Sequence, residues 1–295
     1  MEIIEINEKD WTEKPGLSST GKRVKAWYER NSDGKIFLHK EPKNYTEINF
    51  ITFEIWTEII ANHIGVNLGL EIPKIYPAKD QNNYGVLIEY FLNSDEELRE
   101  AKDFLQTFEV KPSHNIALIE KFLKNLDKRL HLWNCFKKML IYDCLIGNND
   151  RHDENWGLCF NFKEKKVRFA PIYDNASCLT RELTEKDVEN ILNNQQKFEK
   201  YIFGKKARPP NLFWDENDTK KYNHFELMVN LIKKELETKQ IIEKFLQIDY
   251  INSANFIMEK IRCLNLPEEY KLSDNRVKAI SKILESRKAK LQELL

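Results

Sequence analysis

Alternating apolar and polar positions run through the first part of the chain and predict β-strands. Residues 1–6 alternate apolar and acidic side chains, which is typical of an edge strand. Residues 23–28 alternate in the same way, and the turn signal NSDG at 31–34 leads into the segment KIFLHKEP, which carries Lys40. The pattern predicts a strand, a tight turn and a returning strand with a lysine near its end.

A loop of small residues precedes this predicted hairpin. Gly16 and Gly21 flank the hydroxyl residues Ser18, Ser19 and Thr20. A small-residue loop followed by a strand, a turn and a strand is typical of a flap that covers phosphate groups. The alternative is a surface hairpin with a Ser/Thr-rich loop, because short glycine motifs match many unrelated sequences.

From Asn49 the hydrophobic period changes to that of a helix. Glu54 and Glu58 lie within this helical stretch, where they either pair with a cation on a neighbouring strand or lie on a solvated helix face. The pattern predicts one helix that ends at Gly65. The positions that recur at intervals of three and four are Phe50, Phe53, Trp56, Thr57, Ile60, Ala61 and Ile64.

The remaining pattern predicts two more strands and then mainly helices. The strands lie at 73–78 and 84–90, and residues 95–147 carry apolar positions at helical spacing. A further helix is predicted at about 185–201, and three amphipathic helices at 221–295. We therefore expect an α+β fold of two lobes, in which residues 1–91 form a small mixed lobe of sheet and one helix, and residues 92–295 form a mostly helical lobe.

Composition narrows the functional classes. Lys plus Arg and Asp plus Glu both total 47 in the 295 residues, which gives no reason to expect nucleic acid or a membrane as a direct partner. The five cysteines form no CxxC pair and their number is odd, so we expect reduced thiols in the cytoplasm. The acidic N-terminus does not resemble a signal peptide, and no stretch approaches the ~18 apolar residues of a membrane span.

The stretch from Leu145 to Asp174 carries the most specific candidate chemistry. Asp150 precedes Asn155 by five positions, and Asp174 follows after a predicted pair of strands. Protein kinases use this spacing for the aspartate that orients the acceptor hydroxyl, the metal-binding asparagine and a second metal-binding aspartate. Asparagine and aspartate oxygens suit Mg²⁺ rather than zinc. The spacing predicts phosphoryl transfer from ATP with Mg²⁺, in the order DRHxxN instead of HRDxxxxN.

The other parts of such a site follow each other in the order that a two-lobed kinase requires. Lys40 would neutralise the ATP phosphates and pair with a helix glutamate, and Gly21 would belong to the loop over the phosphates. The joint around Glu89 and Phe91, where an apolar strand passes into a polar segment, would be the hinge whose backbone groups bind adenine. Each feature is common by itself, and only their joint order favours a kinase.

The segments GNNDRHDENWG and FAPIYDNASCL resemble the catalytic and metal-binding segments of the HipA-like serine/threonine kinase family, and in particular its compact CtkA-type branch. The resemblance implies that Asp150 is the catalytic aspartate and that Asn155 and Asp174 are the metal ligands. It also implies that Lys40 is the phosphate lysine, paired with Glu54 in preference to Glu58. Arg151 and His152 would brace the catalytic loop.

The family resemblance also implies regulation and partners. Some members phosphorylate their own glycine-rich loop and are silenced by it, which makes Ser18, Ser19 and Thr20 candidate autophosphorylation sites, with Ser19 first. The family further implies a bacterial protein that acts on Ser or Thr of a protein substrate and meets an antitoxin-like regulator. This chain differs from HipA proper in its shorter N-terminal region.

Two other functions are compatible with the motifs. The first is a phosphoinositide or small-molecule kinase, because the order DRHxxN also occurs in phosphatidylinositol 3/4-kinases. The second is a toxin–antitoxin interaction module without catalytic turnover. The sequence leaves open whether a kinase of this kind is a toxin, a signalling enzyme or an effector secreted into a host.

Overall fold

The computed structural model describes residues 1–15, 25–48, 50–108, 114–129, 131–204, 212–218, 220 and 222–295. Gly21 and the candidate autophosphorylation sites Ser18, Ser19 and Thr20 lie outside the described residues. None of the helices within the described ranges is both long and apolar enough to span a bilayer.

A six-stranded sheet dominates the N-terminal part of the chain. Its order is β1-β7-β8-β4-β3-β2, and β1 pairs in parallel with β7 at one edge, so residues 1–6 contribute the predicted edge strand. Two shorter sheets accompany it, with the orders β11-β10-β9 and β5-β6. The strands are β1 (Ile4–Ile6), β2 (Trp11–Glu13), β3 (Lys25–Arg30), β4 (Ile36–Lys40), β5 (Asn44–Tyr45), β6 (Phe50–Ile51), β7 (Ile75–Asp80), β8 (Asn83–Glu89), β9 (Glu96–Glu100), β10 (Gly157–Asn161) and β11 (Lys166–Phe169).

Helices make up most of the chain after residue 100. Their core is built on the central helix α4, in which Trp133, Phe136 and Tyr142 are fully buried. The predicted α+β class is therefore confirmed. The helices are α1 (Glu54–Asn67), α2 (Ala101–Leu105), α3 (Ile116–Leu126), α4 (His131–Ile146), α5 (Glu185–Asn193), α6 (Gln195–Phe203), α7 (His224–Lys234), α8 (Leu236–Gln247), α9 (Tyr250–Arg262) and α10 (Asp274–Gln292), with short 3-10 turns at Thr46–Ile48 and Glu268–Tyr270.

The predicted hairpin forms as the antiparallel pair β3 and β4. Gly34 has φ +68° in the turn, a conformation that favours glycine, and Arg30 donates two hydrogen bonds to the Asp33 carboxylate there. One face of the sheet buries a small cluster around Trp11, Tyr28 and Phe37. The hairpin thus places Lys40 at the end of β4 nearest α1.

Helix α1 differs from the prediction at both ends. Phe50 and Ile51 form strand β6 against β5, so the helix begins at Glu54 rather than near Asn49. Gly65 lies inside the helix, where a Cβ atom would come within 1.9 Å of Ile72 Cδ1. Gly69, with φ +74°, follows the helix end and turns the chain.

Three more boundaries differ from the predictions. Residues 96–100 are strand β9 instead of helix, since their backbone pairs with β10. The helix predicted at 185–201 is two helices, α5 and α6, because Asn194 breaks it and caps Lys197 N. The described residues 222–295 form four α-helices instead of three. Glu235 interrupts α7 and α8 in an extended conformation, where its carboxylate accepts hydrogen bonds from Lys124, Lys137 and Trp133.

Candidate active site

The loop that carries the predicted catalytic residues begins where α4 stops. Gly147 follows the helix with φ +70°, which reverses the chain. The next residue, Asn148, is fully buried and joins the helix to the loop. Its amide nitrogen donates to Asp143 Oδ1 at 3.0 Å, and its amide oxygen accepts from the backbone nitrogen of Asp150 at 3.1 Å. Asp150 therefore stands on a turn whose geometry is fixed by the helix.

Arg151 is the brace of this loop. Only 1% of the residue is exposed, and its guanidinium donates two hydrogen bonds of 2.9 Å to the Asp143 carboxylate. It also donates to the backbone carbonyls of Asn155 and Tyr173, and to Asn175 Oδ1 at 2.6 Å. Because these contacts reach both sides of the β10–β11 hairpin, Arg151 ties the loop of Asp150 to the segment that carries Asp174.

Asp150 and Asn155 lie in contact within this loop. The Asn155 amide nitrogen donates to the backbone carbonyl of Asp150 at 2.7 Å, which leaves the amide oxygen as the atom that can turn to a cation. The Asp150 carboxylate accepts a hydrogen bond of 3.2 Å from Ser177 Oγ. His152 lies at the loop surface, where its Nδ1 accepts from the backbone nitrogen of Glu154 at 3.2 Å.

Asp174 follows Tyr173, whose carbonyl Arg151 binds, and its backbone has a conformation that few residues adopt. Its φ is +53°, in the left-handed region, which aspartate tolerates better than most side chains. Asp174 Oδ1 lies 2.6 Å from Lys40 Nζ, so the structure brings together two predicted site residues that are 134 positions apart. Strain at a polar residue with such a partner is typical of functional sites.

Lys40 pairs with Glu58, and the predicted choice of Glu54 is wrong on this point. Lys40 Nζ lies 3.3 Å from Glu58 Oε2, and both side chains are buried. Glu54, one helical turn earlier, instead lies 3.2 Å from Arg181 NH1 and accepts a hydrogen bond from the backbone nitrogen of Lys43. Because α1 begins at Glu54, its first turn faces the β4–β5 connection and its second turn faces the end of β4.

The predicted hinge connects β8 to β9. The backbone nitrogen of Glu89 donates to Lys74 O and that of Tyr90 donates to Ile36 O, so alternate backbone groups point to opposite sides. The Glu89 carboxylate forms a surface ion pair with Lys35 at 2.9 Å. The Phe91 ring stacks on Tyr173, next to Asp174, with 5.9 Å between ring centroids, and Arg168 donates to the Phe91 carbonyl. The Phe91–Tyr173 contact places the predicted hinge next to the segment that carries Asp174.

Several residues of the site were not predicted from the sequence. Asp143, in α4, and Asn148, just after it, bind the loop of Asp150 by hydrogen bonds. The sequence does indicate Asp143, because it is a charged residue within the apolar run YDCLIG. Ser177 and Arg181 follow Asp174 closely, and nothing in their pattern indicates contact with Asp150. Taken together, the site offers a carboxylate beside an amide oxygen, a second carboxylate and a buried lysine. Such a set can bind a divalent cation and a polyanion next to a hydroxyl acceptor.

Comparison with known proteins identifies relatives of this arrangement. The family model of the HipA-like C-terminal domain matches residues 17–250, which confirms the resemblance predicted from the motifs. The serine/threonine-protein kinase CtkA of Helicobacter pylori is 25% identical over 239 residues, which cover 79% of this chain and 70% of that protein.

Two solved structures share the fold. The crystal structure of the Helicobacter pylori proinflammatory kinase CtkA superposes with a TM-score of 0.76 at 22% identity, over 99% of this chain and 96% of that chain. HipA of Shewanella oneidensis MR-1, solved with HipB and operator DNA, superposes with a TM-score of 0.53 at 12% identity, over 98% of this chain and 67% of that chain. At these identities the likeness concerns the fold alone.

Proposed function

Because the chain belongs to the HipA-like C-terminal domain family, we propose that it is an ATP- and Mg²⁺-dependent protein serine/threonine kinase. A single arrangement carries this proposal. Asp150 and Asn155 share one braced loop, and Asp174, tied to that loop through Arg151, lies 2.6 Å from the buried lysine Lys40. The name of the Helicobacter pylori relative, a serine/threonine-protein kinase, supports the same chemistry.

Each residue has one task in the proposed transfer. The Asp150 carboxylate orients the substrate hydroxyl and accepts its proton. This task requires a proton acceptor within hydrogen-bond distance of the hydroxyl. Asn155 and Asp174 are the residues that would hold Mg²⁺, and one carboxylate plus one amide oxygen fits an ion that takes its other ligands from phosphates and water. When bound, Mg²⁺ neutralises charge on the β- and γ-phosphates. Lys40, held by Glu58, neutralises the α- and β-phosphates.

The proposed kinase divides into an N-terminal lobe of residues 1–91 and a C-terminal lobe of residues 92–295. The backbone of Glu89 and Phe91 contacts adenine at the joint between them. In the sequence, Gly21 lies between β2 and β3, and β3 pairs with β4, the strand that ends at Lys40. This order of strands supports a role for the loop in covering the phosphates.

Substrate and regulation are proposed from the family. The acceptor is a Ser or Thr hydroxyl of a protein, and Ser18, Ser19 and Thr20 are candidate autophosphorylation sites, Ser19 first. A phosphate there adds about −1.5 to −2 charges and repels the γ-phosphate of ATP, which lowers activity. An antitoxin-like protein is the proposed regulator, as HipB accompanies HipA in the Shewanella complex. All five cysteines are unpaired, which supports the bacterial cytoplasm as the compartment.

The test is phosphate transfer by an Asp150→Asn variant. Purified protein is incubated with γ-labelled ATP, Mg²⁺ and a generic protein acceptor such as myelin basic protein. Loss of the proton acceptor is expected to reduce the transfer rate by about 10²–10⁴-fold, with unchanged thermal unfolding. Asp153→Asn is the matched control, because it removes a carboxylate from the same loop without touching the assigned residues. Transfer by Asp150→Asn at the wild-type rate would show that another group orients the hydroxyl.

A further inference from the structure

Glu54, which does not pair with Lys40, starts a chain of hydrogen bonds that ends at the proposed catalytic carboxylate. Only 3% of Glu54 is exposed. One of its carboxylate oxygens accepts from the backbone nitrogen of Lys43 at 2.9 Å, and the other lies 3.2 Å from Arg181 NH1. Glu54 thus binds a cation that the C-terminal lobe brings to it.

Arg181 and Ser177 continue this chain to Asp150. Arg181 NH1 donates to Ser177 Oγ at 2.5 Å, and Ser177 Oγ lies 3.2 Å from Asp150 Oδ2. A guanidinium can only donate, so the serine oxygen must be the acceptor of the first bond. The single hydroxyl proton of Ser177 is then directed to the Asp150 carboxylate. The direction of the whole chain is therefore fixed, from the arginine through the serine to the aspartate.

The segment between Ala176 and Arg181 is held rigidly enough to support a geometric role. The backbone nitrogen of Phe53 donates to Arg181 O at 3.0 Å, and Thr57 Oγ1 donates to Ala176 O at 2.8 Å. The buried guanidinium of Arg276 donates to Thr180 O at 2.9 Å. Contacts from α10 and from the start of α1 thus fix the backbone on both sides of Ser177, and its hydroxyl is held between Arg181 and Asp150.

We infer that Ser177 and Arg181 position the Asp150 carboxylate for the incoming hydroxyl, and that Glu54 holds Arg181 in place from the N-terminal lobe. This inference rests on the proposed kinase function and adds three positioning residues to it. None of the three residues contacts Lys40, Asn155 or Asp174 among the hydrogen bonds of the described residues. Their loss is therefore expected to change the rate of transfer more than the binding of MgATP.

The experiment measures kcat and KM for MgATP with myelin basic protein as acceptor. Ser177→Ala and Arg181→Gln are each expected to lower kcat about 10-fold. The loss of one hydrogen bond to a charged group typically changes a rate by a factor of about this size. KM for MgATP and the melting temperature are expected to stay close to the wild-type values. The double variant is expected to lose no more than Arg181→Gln alone, since both residues act along one chain of bonds. Arg181→Lys, which keeps a cationic donor, is expected to recover part of the rate.

Arg30→Gln is the matched control, because it removes the same charge from the Arg30–Asp33 pair in the β3–β4 turn. Its kcat is expected to equal that of the wild type. An active wild type together with full kcat in Ser177→Ala and Arg181→Gln would overturn the inference alone. So would a fall in kcat that comes only with raised KM and a lowered melting temperature, since that is the behaviour of a structural contact. Absence of transfer in wild type and control would overturn the proposed function, and the inference with it.

Discussion

At the scale of single residues, the two glutamates of α1 have separate tasks. Glu58 lies within 3.3 Å of Lys40, and Glu54 lies within 3.2 Å of Arg181. Residues four apart lie on one face of a helix, so helical periodicity cannot decide which of them meets the lysine. The decision depends on where the helix begins, and the short strand β6 moves that start to Glu54.

This division predicts different kinetic defects for the two glutamates. Glu58→Gln keeps the shape of the side chain but removes the charge that holds Lys40, so we expect KM for MgATP to rise about 10-fold. Glu54→Gln is expected to lower kcat with little change in KM. Steady-state kinetics with MgATP varied at a fixed concentration of acceptor protein separates the two effects. Equal changes in KM for both variants would contradict the assignment of Lys40 to Glu58.

The residues that bear the proposed chemistry were easier to predict than those that support them. The spacing of Asp150, Asn155 and Asp174 was visible in the sequence, and the structure brings Asp150 against Asn155 and Asp174 against Lys40. Ser177 and Arg181 could not be predicted, because their contacts depend on where the chain after Asp174 meets α1. The local sequence contains no information about that tertiary contact.

At the scale of elements, α1 is held by the C-terminal end of the chain. Trp56 Nε1 donates to Tyr270 O at 2.6 Å, and the Tyr270 ring packs on Tyr84 of β8 with 4.7 Å between centroids. The guanidinium of Arg276 lies over the Phe53 ring at 3.5 Å. Because α1 carries Glu58, the segment around Tyr270 and α10 helps to keep Lys40 in its ion pair. The sequence predicted these helices without indicating which face of the sheet they would meet.

A variant of Trp56 tests this anchoring. Trp56→Phe removes the indole donor and leaves the Tyr270 carbonyl without it, which is expected to cost about 1–2 kcal/mol of unfolding free energy. For a chain of this size that corresponds to a melting temperature lower by about 2–8 °C. Trp27→Phe is the control, because the Trp27 indole nitrogen has no hydrogen-bond partner within the described part of the chain. Equal melting temperatures for Trp56→Phe and wild type would show that the Trp56–Tyr270 bond does not anchor α1.

Boundaries between helices were the least predictable elements. Glu235 divides α7 from α8, although the hydrophobic period runs through it, because Lys124, Lys137 and Trp133 hold its carboxylate. These hydrogen bonds keep the pKa of Glu235 low, at about 2, despite the opposing effect of burial. Strand β9 was missed for a related reason, since its sequence EELRE has no apolar alternation and is extended only through pairing with β10.

At the scale of the whole molecule, contacts distant in sequence join the sheet to the helices. Lys40 meets Asp174, Phe53 meets Arg181, and the backbone nitrogen of Ile172 donates to Glu71 O at 2.8 Å. All three contacts involve the segment 172–181, which follows the β10–β11 hairpin. The α+β class was predictable from the order of periodic patterns, whereas this joining segment was not, because it has no regular structure. This segment therefore joins the sheet and α1 to the helical part of the chain, alongside the Trp56–Tyr270 contact.

Buried His224, which lies next to Asn148 of the Asp150 loop, is expected to make the stability of the whole fold depend on pH. His224 begins α7 and is 1% exposed, and burial holds its pKa well below the ordinary 6.5, with a smaller contribution from the Arg287 guanidinium. Arg287 itself donates to the carbonyl of Cys144, at 2.5 Å, near the end of α4. The folded protein therefore keeps His224 neutral at a pH at which the unfolded chain protonates it.

The sign of the effect follows from this difference in proton binding. Well above pH 6.5 neither state carries the proton, and the free energy of unfolding does not depend on the pH through His224. As the pH falls below 6.5, the unfolded chain gains a proton that the folded protein does not, and stability is lost. One such group lowers the unfolding free energy by up to about 1.4 kcal/mol per pH unit. Buried His39, whose pKa is also lowered by burial, adds to the loss.

We therefore expect urea unfolding at pH 7, 6 and 5 to show a steeper loss of stability in the wild type than in His224→Gln. Glutamine keeps a side-chain N–H that can donate to the backbone of Asn148 but cannot take up a proton in either state, so one proton of pH dependence disappears. The stability of each protein at lower pH is compared with its own stability at pH 7. Any constant loss of stability from repacking around the glutamine then cancels. If wild type and His224→Gln lose stability equally between pH 7 and 5, His224 is protonated in the folded protein and its buried position does not exclude the charge.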